Sequence, residues 1–133
     1  MYGMASIRSG IGENMEDRYL FKAKRLDNGE WVEWDAIAGI PENVSILADT
    51  ICQCTGLKDK NGKLIWENDI VRTIYDGIEH IYQVIWDKSE LDFKATNGKE
   101  FYKSNFEYLP CCEEVEVIGN IFDNPELLES EEK

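Results

Sequence analysis

The chain has 133 residues, 27 Asp and Glu against 14 Lys and Arg, a formal net charge of -13 and 43% apolar residues. That length and apolar content predict one folded domain with its own core and exclude a wholly disordered chain. The charge sets most of the surface against phosphate backbones, and no apolar run approaches the roughly 18 residues of a membrane span.

The chain opens with "MYGMASIRSG", which has no continuous apolar stretch and does not read as a signal peptide. From Arg18 onward, apolar alternation is broken by Asn-Gly and Asp-Gly pairs. These supply the positive-φ positions of tight hairpin turns. "RYLFKAKRL" (Arg18–Leu26) runs through Asn28-Gly29 into "EWVEWDAIA" (Glu30–Ala38). "GIPENVSIL" (Gly39–Leu47) reads as a loop or irregular segment. "DTICQCTGL" (Asp49–Leu57) turns through "KDKNG" into "KLIW" (Lys63–Trp66). In that loop Lys58, Asp59 and Lys60 read as solvated turn residues. Asn68 suits a left-handed position before the next strand, with Asp69 satisfying the turn. "DIVRTIY" (Asp69–Tyr75) turns at Asp76-Gly77 into "IEHIYQVIW" (Ile78–Trp86), and "LDFKAT" (Leu91–Thr96) turns at Asn97-Gly98 into a strand centred on Glu100–Lys103. "EVEVIGNIF" (Glu114–Phe122) is the last strand. The strand residues are β-branched and aromatic. "DNPELLES" carries a helix start, with Asn124 as N-cap and Pro125 at the first helical position, and predicts a short turn over Pro125–Glu129. "ESEEK" reads as a solvated tail. The fold class is mainly β, with antiparallel hairpins forming a small barrel- or sandwich-like body and a short C-terminal helical turn; α+β is the alternative.

Candidate chemistry is sparse. Cys52 and Cys54 form C-x-C, and Cys111 and Cys112 are adjacent, whereas zinc sites favour pairs two to four residues apart. The sole histidine, His80, lies in a strand-like run and reads as a surface or interface residue. All four thiols read as ordinary core or surface thiols. Glu67 and Asp69 have the spacing of an acid/base pair but lack a partner histidine or phosphate cradle, so the turn reading is preferred. We therefore assign no catalytic, cofactor-binding or metal-ligating residues and no cofactor. A nucleic-acid site would need Lys22, Lys24, Arg72 and Lys94 to converge on one aromatic face. Trp31, Trp34, Trp66 and Trp86 are split between core and interface roles, with core packing favoured for most.

The stretch Gln53–Val71, "QCTGLKDKNGKLIWENDIV", resembles the signature of the YopX family of small phage and prophage proteins of Gram-positive bacteria, TGL-x-DKNGK followed by an aromatic and E-G-D-I-V. "EVIGNIFDNPELL" (Glu116–Leu128) is similar to that family's closing EVIGNI-x-ENPELL, and "YLFKAK" (Tyr19–Lys24) to its K-F-R-A opening. Asn68 stands where the family motif has Gly, which fits a left-handed turn, and Cys54 where it often has an aromatic. The resemblance implies a mainly β fold and an accessory role, and it carries over no catalytic residue. It also makes the first residues odd, because the similar part starts just after Met15. Gly12-Glu13 can be encoded by a purine-rich run one codon before Met15, so residues 1–14 are an N-terminal extension expected to be leader from a misplaced start, the alternative being a genuine N-terminal arm that packs on the body or on another subunit. Residues 15–128 are expected to form the single domain and 129–133 an acidic tail. The expected function is a non-enzymatic protein-interaction module in a host bacterial cytoplasm, with no membrane contact. Its partner would be a phage or host protein or a second copy of the chain. The alternative is a nucleic-acid-associated small β-barrel, which the charge disfavours.

Overall fold

The computed structural model describes residues 16–97 and 106–131. The described strands are β1 (Leu20–Lys24), β2 (Trp31–Asp35), β3 (Cys52–Lys58), β4 (Leu64–Trp66), β5 (Asp69–Tyr75), β6 (Ile78–Asp87), β7 (Asp92–Thr96), β8 (Phe106–Tyr108) and β9 (Glu114–Asn120), followed by helix α1 (Glu126–Glu131). They form two antiparallel sheets, one of four strands and one of five, without a closed barrel. The mainly β class is as expected. The chain divides into two compact units, one up to Leu57 and one from Lys58. Among the described residues no helix is long and apolar enough to cross a membrane.

In the first unit β1 lies between β2 and β3. Leu20 faces Asp35 and Lys24 faces Trp31 across the β1–β2 ladder, and Lys22 faces Cys52 on β3. Leu20, Ala23, Cys52 and Cys54 are buried. β2 is shorter than its sequence pattern because Asp35 folds back, its Oδ1 accepting from the N–H groups of Ile37 (3.0 Å) and Ala38 (2.9 Å). The Pro41 segment is irregular, as expected, and is tied in by a bridge from Arg25 to Ile46 and by Gly39 N–H to Asp35 C=O at 2.9 Å.

In the second unit the five-stranded order is β8-β7-β6-β5-β9. Val71, Tyr82, Val84, Ala95 and Leu109, together with Ile65, form its buried core, with Phe93, Val115 and Val117 packed against them. Each buried Val or Ile contributes about 1.5–3 kcal/mol. β5 and β6 are joined by Asp76-Gly77, both at positive φ (52° and 76°), the two-residue turn expected. β5 and β9 pair with a register shift between Ile70 and Val71. The short strand β8 carries no turn signal and was not anticipated. The expected Asn97-Gly98 turn and the strand over Glu100–Lys103 fall at the edge of, or outside, the described residues, as does the expected leader, residues 1–14. α1 packs against β6 and runs to Glu131, two residues beyond the expected stop and into the segment read as tail.

Two loops share one form. Four residues separate Arg25 from Glu30 and Asp87 from Asp92, and each loop is closed by a five-residue turn, Gly29 N–H to Arg25 C=O (2.9 Å) and Leu91 N–H to Asp87 C=O (2.7 Å). The residue that closes each is left-handed: Gly29 at φ 74° and Leu91 at φ 59°. For Leu that conformation costs roughly 1–2 kcal/mol.

The "KDKNG" loop departs from expectation at one residue. Asp59 is not solvated; it is 6% exposed. Its Oδ1 accepts from the N–H groups of Asn61 (2.9 Å) and Lys63 (2.9 Å), and its Oδ2 from Val117 N–H on β9 (2.9 Å). Lys60 N–H reaches Val115 C=O at 2.9 Å. The loop therefore occupies the outer edge of β9, and its carboxylate is the clasp. Burial opposes the charge on Asp59, and the three backbone donors outweigh it and hold its pKa below the usual carboxylate value. Replacing Asp59 with Ala should lower the unfolding free energy by about 2–3 kcal/mol, because amides that lose a charged acceptor go unpaired. Urea unfolding at pH 7 checks this, and the loss should shrink as pH falls through the folded-state pKa of Asp59.

Candidate functional site

Side chains alternate along β7, so Lys94 and Ala95 point to opposite faces of the five-stranded sheet. Each face carries a cluster of polar side chains built on buried charge.

On the Lys94 face the ammonium is 1% exposed. It donates to Asp87 Oδ2 and Glu90 Oε1 and lies 3.2 Å from Asp92 Oδ1. The rings of Phe106 and Tyr108 close over it, with centroids 5.0 and 5.3 Å from Nζ. Tyr108 OH donates to Glu90 Oε1 at 3.1 Å. Asp87 Oδ1 also accepts from Ser89 N–H (2.9 Å) and Oγ–H (2.6 Å), which sets the hairpin loop. Register explains the assembly, since Asp87 faces Asp92 at the ladder's end and Lys94 faces Tyr108. The carboxylate oxygens of Asp87, Glu90 and Asp92 lie within 4.8 Å of one another, a spacing that suits a metal ion. Here the lysine ammonium fills that role, an internal cation in a carboxylate and aromatic cage. Burial pulls the Lys94 pKa down, but the hydrogen bonds to Asp87, Glu90 and Asp92 together lift it above the usual lysine value. The hydrogen bonds from Lys94 and then Ser89 draw Asp87 down to about 2.

On the opposite face Glu107, 7% exposed, sits opposite Ala95. Its Oε1 accepts from Thr73 Oγ–H on β5 at 2.7 Å and from Cys112 Sγ–H at 3.5 Å, and its Oε2 lies 3.2 Å from His80 Nδ1 on β6. β8 and β5 are three places apart in the sheet, so the sheet curls far enough for Glu107 to span its concave face. The His80 imidazole stacks on Tyr82, centroids 4.8 Å apart and planes 8° apart. His80, read from the sequence as a surface or interface residue, is half-buried on this sheet face. Burial first, and then the Glu107 charge, push the Cys112 thiol up to about 12. The thiol is held protonated as a donor, the reverse of what a nucleophilic Cys–His arrangement needs.

The other candidates resolve separately. Glu67 precedes Asn68, which is left-handed at φ 73° as expected, and Asp69 is buried with its Oδ2 accepting from Trp66 N–H at 2.8 Å. Asp69 thus completes the turn. Arg72 is bound to Glu116, with Glu79 at 3.6 Å, and Lys94 is enclosed. Lys22 and Lys24 belong to the first unit and flank the Trp31 ring at 4.6 and 5.4 Å. Trp66 is buried, Trp31 and Trp34 are half-buried, and Trp86 is exposed. Cys52 and Cys54 are buried in β3, Cys52 donating to Thr50 C=O at 3.3 Å, while Cys111 is exposed. Near the C-terminus, a Cβ on Gly119 would come within 2.7 Å of Asn124 Oδ1, so glycine is what lets the last turn fold back on β9. Asn124 Oδ1 accepts from Asn120 N–H at 3.3 Å, and its C=O accepts from Leu127 N–H at 3.1 Å at the start of the helix.

A family model for the YopX protein matches residues 3–129. The chain belongs to the YopX family. The crystal structure of protein EF1440 from Enterococcus faecalis is similar to it, with 27% sequence identity, 81% of this chain and 96% of that chain covered, and a TM-score of 0.49. No curated protein matches it. The YopX-like motif residues Asp59, Asn68, Asp69, Gly119 and Asn124 all have a role in the backbone geometry described above.

The two buried clusters predict distinct pH behaviour. Asp87 and Glu90 have lowered pKa values in the fold, so their contribution is complete above the unfolded carboxylate range and is lost as pH falls. Lys94 is raised, so its contribution is complete below the unfolded lysine value and is lost only as pH rises through its folded value. Urea midpoints should be flat between about pH 5 and 9 and fall between about pH 4 and 2. Lys94→Met should be less stable than wild type at pH 7, and at pH 3 that gap should narrow by about half as the cage acids protonate. Thiol labelling at pH 8 should modify the exposed Cys111 before Cys112, whose thiol is kept protonated by burial and by the Glu107 charge.

Proposed function

We propose that this YopX-family protein is a non-enzymatic protein-interaction module, an accessory of a phage or prophage acting in the host bacterial cytoplasm. The observation that carries this reading is how its polar motif residues are used. Asp59 and Asp69 accept from backbone amides, and Asn68 fills a left-handed turn. The thiol beside the one histidine-carboxylate pair is held protonated. Side chains committed to holding backbone or cation in place have little capacity left for proton transfer or nucleophilic attack. The net charge of -13 favours a partner of opposite sign over nucleic acid.

A second reading, a nucleic-acid-associated β protein, keeps one observation in its favour: the Trp31 ring with Lys22 and Lys24 over it. A base could stack where the lysine stems lie, with the ammoniums moved to phosphates. Arg72 and Lys94 do not extend that patch, because each is already neutralised by carboxylates.

The test is affinity capture with the full chain from a phage-infected bacterial lysate, with and without nuclease, read by mass spectrometry and ultraviolet absorbance. A reproducible protein partner that survives nuclease is expected. A capture set that disappears with nuclease, or bound nucleic acid, would reverse the ranking of the two readings.

A further inference from the structure

The hairpin between β6 and β7 contains a local conflict. Its loop has the same form as the β1–β2 loop, and the position that closes that form is left-handed in both. The β1–β2 loop fills it with Gly29, the residue that geometry favours. The β6–β7 loop fills it with Leu91, whose side chain is 73% exposed and so gains little from burial within its own fold. One ladder position inside the hairpin end stands Trp86, 43% exposed, its indole fixed edge-on against Phe93 with centroids 5.0 Å apart.

The loop that carries Leu91 is also held rigid from the Lys94 face of the sheet. Asp87 holds Ser89 by its N–H and Oγ–H, and Lys94 holds Asp87, Glu90 and Asp92 together. A strained, pre-ordered loop that presents Leu and Trp outward loses little conformational entropy on docking. Large apolar side chains in such a setting are the usual centres of binding energy.

We infer that the β6–β7 tip is the docking element of this protein, seating Leu91 and Trp86 in an apolar pocket of a partner protein whose rim carries Lys and Arg. This rests on the interaction-module reading above. The basic rim follows from charge: Glu90 and Asp92 flank Leu91 on the exposed side of the cage, and the chain as a whole carries -13. A second copy brings the same sign to the same surface and is repelled.

The full chain is used as bait in a bacterial lysate in four forms: wild type, Leu91→Gly, Trp86→Ala, and Leu26→Ser as an exposed apolar control in the sister loop. Leu91→Gly places the favoured residue in the left-handed position, so its thermal midpoint should equal or exceed wild type. We expect wild type and Leu26→Ser to recover the same protein, and Leu91→Gly and Trp86→Ala to lose it. With that protein purified, Leu91→Gly should bind at least about tenfold more weakly, and the wild-type on-rate should fall with added salt. A Leu91→Gly chain that binds as tightly as wild type would overturn the tip as the site and leave the interaction module standing. A wild-type chain that recovers nothing would remove both. Self-association in sedimentation that Leu91→Gly abolishes would replace the basic partner with a second copy and overturn the inference.

Discussion

The carboxylate of Asp59 holds the second unit in register. A loop between strands normally leaves several amides to water, and an edge strand leaves a row of donors and acceptors open to foreign chains. Asp59 answers both needs with one charged group, accepting from two amides of its own loop and from Val117 on the edge strand β9. Lys60 adds its own N–H to Val115 C=O. The outer side of β9 is thereby occupied by the chain's own turn, which fixes where the loop sits and shields the edge.

The same device recurs at other strand ends. Asp35 ends β2, Asp69 sets the β4–β5 turn, Asp87 sets the β6–β7 loop, and Asn120 accepts from Phe122 and Asp123 after β9. Four of the 27 acids, Asp35, Asp59, Asp69 and Asp87, therefore serve as acceptors for backbone amides. An ionised carboxylate is a strong acceptor for buried amides, and it can be short enough to sit inside a turn.

The two faces of the five-stranded sheet treat buried charge differently. One face encloses an ammonium in three carboxylates and two aromatic rings; the other encloses a carboxylate with a hydroxyl, a thiol and an imidazole. Removing one partner from such a set leaves the rest uncompensated, so each set specifies its arrangement more strongly than its net energy suggests. The Lys94 cage also organises the β6–β7 hairpin, where an exposed leucine is held in a conformation that glycine would adopt without cost.

The sequence by itself determined the class, most strand boundaries in the second unit, the Asp76-Gly77 turn, the left-handed Asn68 and the family motifs. Those features are local, and alternation and turn chemistry act between neighbours in the chain. It did not show that Asp59 is buried, because the amide that buries it, Val117, is 58 residues away in sequence. Nor did it show the partners of Lys94 and Glu107. Strand pairing alone brings Lys94 opposite Tyr108, and only the curl of the sheet carries Glu107 to Thr73. Leu91 read as the first residue of a strand, since nothing local distinguishes a strand leucine from one that closes a loop at positive φ. Burial and long-range pairing, which tertiary structure alone decides, placed one lysine, Lys94, and acids such as Asp59 and Glu107 out of reach of water.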